Sequence, residues 1–570
     1  MKVNILFLLL FSLANVFSQK LLHEITIDQL IHHASDIVSG EVISKKSYVD
    51  HKTDRIYTEN LVKVYSVLKG QASDTISVIT KGGSVGLEVE EYHPALKLHK
   101  GQVGVFMLND NRSVYADLQG FFEYDIYENK VFGAFSSYDS IEIFEDYISA
   151  ITYQKSLIYL PIFPFQKVRS ANSSRLDFTN SISSFNPSLV RAGIGETITI
   201  SGLGFGSVKG DIRFRNADTG GATYSTVYSE DIISWSDTSI VVEIPTFVGT
   251  GDFQVITINN DIYTTANSLT VISSELATEF DQFPDSFFRT KLINQDGQGG
   301  YTWVFNEAFF ENTDAVDAFQ RAVDTWVCAT NISWLVSEVS TTINSAVNDG
   351  VNVVSLKSAF DVNAQELSPG VLAIATSRYN GCLVSGGANA YLNDVDITFN
   401  SDFDWNFSEN EPEEYQYDFE GTATHELGHA HNLGHVVNED ALMHFDTESG
   451  VNSATRDIDR NTINAALIAY EYSETNGICN EDFVVSRDCM DYSTIEVETV
   501  DDVTVTTNGD ATFSIVNVDY LWKLRVFDVS GKFILETTNR TVDLSNYHSG
   551  VYIFYVEYDA AGEGYYKVVR

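Results

Sequence analysis

"THELGHAHNLGHVVNEDALMHF", residues 424–445, gathers five of the chain's 12 histidines into a short helical run and the loop behind it. On an α-helix His425 and His429 lie four residues apart, so both imidazoles project from one face and can grip one ion. Glu426 is displaced by about 100° round the helix, out of comfortable ligand reach but within reach of a water on that ion. Gly428 lets a neighbour pack closely. The chain must then turn sharply for His435 to close the site. Asn432, the non-glycine residue type that best tolerates a left-handed backbone, stands where that turn is needed. Three neutral imidazoles leave the fourth position to water, as in a catalytic rather than a structural zinc site; a closed site would draw on cysteines, and none is nearby. His431 points away from the ion on this reading. His444 reads as a hydrogen-bonded loop residue, with a substrate contact as the alternative.

Around this stretch, residues 275–482 alternate helical and extended patterns. YTWVFN (301–306) reads as a strand. Val316, Phe319, Val323 and Trp326 share one helix face, with Asn312 or Thr313 as cap. VNVVSL and DVDITFN read as strands, TATHELGHAH as a second helix, and Asp457 to Tyr472 as a third. The acidic run ENEPEEYQYDFE (409–420) reads as a solvated loop, with calcium or basic substrates as its sharper alternative.

HELGHAHNLGH resembles the metzincin metallopeptidase signature HExxHxxGxxH, with Asn432 in place of its glycine. Met443, in DALMHF, resembles the methionine turn beneath the metal, and its closeness to His435 is similar to the matrixin branch. AFQRAVDTW resembles the first matrixin helix, PGVLAIA (369–375) the strand that pairs with substrate, and DITFNSDFDW (396–405) the following segment. The resemblance implies an α+β metzincin-like catalytic domain and a zinc metalloendopeptidase. It implies His425, His429 and His435 as zinc ligands, Glu426 as general base and Met443 as an apolar floor. Departures limit it. A second, structural zinc would need histidines where Ile374 and Thr398 stand. Asn400 and Phe403 occupy two of the calcium positions, leaving only Asp402 and Asp404 as support for calcium. A cysteine-based latency switch has no residue to use, because no cysteine precedes Cys328. Phe445 stands where another metzincin branch has a tyrosine ligand.

The rest of the chain is β-rich. Residues 1–18 read as a secretory signal peptide whose apolar run is too short to anchor in a bilayer. Residues 19–165 read as an antiparallel β domain of unknown role with one short helix near Ile27–Ala34; its His23, His32, His33, His51, His93 and His99 look scattered. Residues 166–181 read as a polar linker. Residues 182–273 resemble the IPT/TIG immunoglobulin-like module on Pro187, Gly193, Gly202, Gly204, Phe205, Gly206 and Trp235–Asp237, which implies a spacer or binding module with a tryptophan at its core. Residues 495–570 resemble the C-terminal sorting domain of the type IX secretion pathway on Asp528, Gly531, Lys532, Leu544, Gly550, Val551, Tyr552 and Lys567–Arg570. That resemblance implies a partnership with secretion machinery and export to the medium or the cell surface.

The composition agrees with an exported multidomain protein. A net charge of −44, from 79 acidic and 35 basic residues, excludes nucleic acid and anionic membranes as natural partners. Cys328, Cys382, Cys479 and Cys489 are disulfide candidates, and locality favours Cys328–Cys382 and Cys479–Cys489. Two other functions stay open: a surface adhesion protein with a vestigial peptidase domain, and a peptidase for which residues 20–165 are an inhibitory propeptide.

Overall fold

The computed structural model describes residues 23–154, 157–159, 181–361, 366–445, 449–450, 456–474, 479–487 and 489, then 504–507, 512–516, 521–528, 533–545, 547, 551–558 and 562–569. The signal peptide, nearly all of the linker, and the sorting-domain matches Gly531, Lys532, Gly550 and Arg570 lie outside the described residues. The chain divides into two compact units, Met1–Asp491 and Tyr492–Arg570.

In the first unit, the alternating strands Asp36–Asp50 and Arg55–Lys69 form a long antiparallel ladder within an eight-stranded sheet. Apolar side chains alternate between its faces and build a core on each. Helix Ile27–His33 starts at a capping box between Thr26 and Gln29. The expectation of a single helix is corrected by a second one, Ile141–Thr152. Its β-branched residues hide the period, but Ile141, Phe144 and Ile148 share the buried face and Ser140 caps it.

The immunoglobulin-like module has two four-stranded sheets closed over one apolar core. Phe205 lies in that core. Trp235, expected at its centre, is only partly buried and packs against it, with its indole N–H donating to the Gly206 carbonyl.

The third part carries a nine-stranded sheet. Its main path is Trp334–Val336, Tyr301–Phe305, Asn352–Lys357, Gly387–Asn400, Ala373–Val384, and then two strands from the N-terminal domain, Glu88–His93 and Gly83–Val85; Phe287–Lys291, paired with Ala277–Glu279, branches from Gly387–Asn400. Helix Thr313–Thr330 starts at Asn312, as its pattern predicts, and packs on helix Phe419–Ala430, where the Trp326 indole donates to the Thr424 carbonyl at 2.8 Å. A third helix spans Arg460–Glu474.

The disulfide pairing expected from locality is wrong. Cys328 bonds Cys489 and Cys382 bonds Cys479, across 161 and 97 residues of chain. The ten-odd residues that close the unit run back over it, with Val485 N–H on the Gly299 carbonyl and Arg487 N–H on that of Asn331. Two separated early elements therefore each receive one of the late cysteines.

The second unit is all β, a three-stranded and a four-stranded sheet around Phe513, Leu524, Val526, Leu544 and Phe554. Of the residues matched to the sorting domain, Leu544 and Tyr552 are buried.

Candidate metal centre

Asp418 caps the helix Phe419–Ala430 by accepting from the Gly421 N–H at 3.1 Å, and all twelve helical residues are buried. One turn separates His425 from His429. The helix then ends with Asn432 at φ +62°, while the Leu433 N–H reaches back to the Gly428 carbonyl at 3.0 Å. This is the left-handed turn expected of Asn432, made by asparagine where the metzincin signature has glycine. The turn is braced from outside: Gly434 N–H donates to Ser274 and Leu276 N–H to the Asn432 carbonyl, both on the chain leaving the immunoglobulin-like module.

Candidate ligand atoms of His425, His429 and His435 then lie within 4.8 Å of one another, the only such group of three among the described residues. Each ring is held by its Nδ1. His425 Nδ1 lies 2.7 Å from the Leu442 carbonyl, His429 Nδ1 2.9 Å from the Leu433 carbonyl, and His435 Nδ1 2.8 Å from a carboxylate oxygen of Asp218. A carbonyl cannot donate, so Nδ1 of His425 and His429 carries the proton and Nε2 presents a lone pair. Those two Nε2 atoms face each other at 3.2 Å. Two lone pairs at that separation repel unless a cation lies between them, so the donor set fits a metal such as zinc. Burial also holds the imidazoles neutral: it pulls His425 down to about 3 and His429 well below the ordinary histidine value.

Glu426 is fully buried, and neither carboxylate oxygen has a hydrogen-bond partner of normal geometry. Burial pushes its pKa well above the ordinary carboxyl range, opposed only in part by the Ala375 N–H. An orphaned carboxylate in a dry site is costly unless something placed beside it needs a proton acceptor. Met443 lies beneath the helix, its sulfur against Gly428, where a Cβ would collide with it. That contact is the reason for a glycine there.

His431 is buried between Trp326 and Trp334, near the Thr330 hydroxyl, and is not in the cluster. His444 places Nδ1 3.2 Å from the Val436 carbonyl. The acidic run is tied down by arginines: Arg456 grips both oxygens of Asp418, and Arg321 reaches Glu420 at 2.6 Å. Asp402 accepts from the Ala359 N–H, and Thr398 donates to Glu366.

Two neighbours of the site are absent from the motif. Asp218 comes from the immunoglobulin-like module, which therefore does more than space. His93 comes from the N-terminal domain and stacks on His429, with ring centroids 4.8 Å apart. No local signal marks either residue. His93 belongs to a set that looks scattered in sequence, and only the fold brings it here.

Residues 378–468 match the family model of the matrixins, and residues 181–273 match that of the IPT/TIG domain. No curated protein matches the chain. No helix among the described residues is long and apolar enough to cross a membrane. The matched segment contains the histidine cluster, Glu426 and Met443, and the chain thus carries a matrixin domain, which supports a zinc metallopeptidase, following an IPT/TIG domain.

Proposed function

We propose that this protein is a secreted metalloendopeptidase in which His425, His429 and His435 hold one zinc ion through Nε2 and Glu426 is the general base. The observation that carries this reading is the pair of facing Nε2 lone pairs beside an unpartnered buried carboxylate. A bound zinc supplies Lewis acidity and makes its water easier to deprotonate. Glu426 takes a proton from the attacking water and delivers it to the leaving amine nitrogen. Leu442, Leu433 and Asp218 hold the imidazole rings in the orientation that directs Nε2 inward. Met443 keeps the floor of the site apolar. Export rests on the signal-peptide pattern and on the resemblance of residues 495–570 to a type IX sorting domain, which makes secretion machinery a partner. Glu426→Ala tests the chemistry: zinc content stays at one per chain while peptide cleavage disappears. Unchanged cleavage by that variant would overturn the assignment.

A further inference from the structure

The strand Glu88–His93 belongs by sequence to the N-terminal domain, yet apart from its hairpin mate Gly83–Val85 its ladder partner lies outside it. It pairs antiparallel with Ala373–Val384 through six residue pairs, from Glu88 opposite Asn380 to His93 opposite Ala375. Without it and its hairpin mate Gly83–Val85, strand Ala373–Val384 would be the edge of the nine-stranded sheet. A bare edge beside a buried general base is where an extended peptide adds itself by main-chain hydrogen bonds. Ala375 is the residue whose N–H approaches Glu426, and His93 sits directly across from it. The imidazole of His93, 7% exposed, lies on His429.

Side chains lock the hairpin in place. Arg378, buried beneath the ladder and paired with Asp394 and Asp396, faces Glu90 at 3.8 Å. Glu90 also receives the Tyr92 hydroxyl and the Ile56 N–H. Behind the hairpin, Arg55 and Lys357 both reach Glu366, at 2.8 and 3.1 Å, and Lys81 reaches Ser368. The ion pairs of Glu366 are buried, so the N-terminal domain is fastened to the third part rather than resting on it. Beside His93 and His435 a cavity of about 260 Å³ remains, enclosed by Lys97 and His99 from the N-terminal domain, Asp218 and Tyr228 from the immunoglobulin-like module, and Glu279.

We propose that the hairpin 83–93 is a built-in pseudosubstrate: it fills the peptide-binding edge of strand Ala373–Val384, and it must leave before a peptide can bind. This rests on the peptidase reading above for what the freed edge then does. The device uses a folded domain, a β-strand and a histidine, and no cysteine. The hairpin pairs outside the eight-stranded sheet of its own domain, which Glu90 meets at the Ile56 N–H.

The test uses the full zinc-loaded chain, with Glu90→Arg to set a second guanidinium against Arg378, and the exposed Glu88→Arg as control. Two readouts apply: amide hydrogen exchange across 373–380, and binding of a peptidic hydroxamate, with cleavage of a quenched peptide followed alongside. Exchange and hydroxamate affinity rise about tenfold or more in Glu90→Arg and stay at the wild-type level in Glu88→Arg, because a peptide binds only molecules whose edge is free. If Glu90→Arg fails to fold, His93→Gly serves in its place, leaving the ion pairs of Arg378 and Glu366 untouched. Equal hydroxamate affinity in the wild type and in a variant whose exchange shows a freed edge overturns the proposal. So does a freed edge that binds no hydroxamate. Binding gained without any cleavage upholds the pseudosubstrate and sinks the peptidase reading instead.

Discussion

The hairpin 83–93 and the loop 217–220 are both remote in sequence from the histidine motif, and both touch it. The loop brings Asp218 to Nδ1 of His435, the nitrogen that faces away from the cluster, and so under the proposed function orients the ring without occupying space a substrate would need. The hairpin brings His93 to the face of His429 and fills the adjoining sheet edge, the place the proposed function gives to a substrate. Contact with a site therefore says little about role. Which atom is touched, and whether the contact sits in the path of the substrate, separates support from obstruction.

Substitutions can break or sharpen this contrast. The largest effect is expected at the centre both segments share: Glu426→Ala lowers cleavage by about 10³-fold with zinc retained, measured by kcat/KM and metal analysis. Next, Asp218→Ala weakens zinc binding by about 10- to 100-fold in a chelator competition, whereas a hairpin variant leaves zinc affinity unchanged. If Asp218→Ala leaves zinc affinity alone and frees the edge instead, the two segments have been assigned the wrong way round. A smaller effect is expected where the loop meets the methionine turn. Gly220, at φ +58°, has the Phe445 ring where its Cβ would go, so Gly220→Ala costs about 1–3 kcal/mol in thermal or urea unfolding. The smallest belongs to the turn: Asn432 already sits at φ +62°, so Asn432→Gly changes stability by less than about 1 kcal/mol and leaves activity intact.

The histidine cluster was legible because its geometry is local. Four residues of helix put His425 above His429, and a left-handed asparagine delivers His435 within the same short stretch. The matrixin and IPT/TIG resemblances were legible for a similar reason, since each rests on contiguous runs of residues. What escaped was long-range. Asp218 reaches His435 across 217 positions, and no pattern in either neighbourhood encodes that pairing. Glu88–His93 reads EVEEYH, with no apolar alternation to mark a buried strand, and nothing in it names its partner. The same blindness explains the disulfides: proximity along the chain favoured the wrong partners, and closure across 161 and 97 residues depends on the finished fold. Helix Ile141–Thr152 was a local miss, as was the short helix Glu307–Phe310. The cap Ser140 and the triplet Ile141, Phe144 and Ile148, spaced for one helix face, are both present in the local sequence.

Those two disulfides also set how the first unit resists being pulled apart. Cys479 and Cys489 stand at the two ends of its closing stretch, each bonded to a different earlier element. Tension arriving from residues beyond Asp491 meets Cys489 first and is passed to Cys328, at the end of helix Thr313–Thr330. That helix is the one packed on Phe419–Ala430, with the Trp326 indole on the Thr424 carbonyl, so the load arrives one element away from the histidines. The Cys328–Cys489 bond thus joins a pull on the later chain to the helix that supports the histidine cluster, and Cys382–Cys479 ties down the other end of the closing stretch.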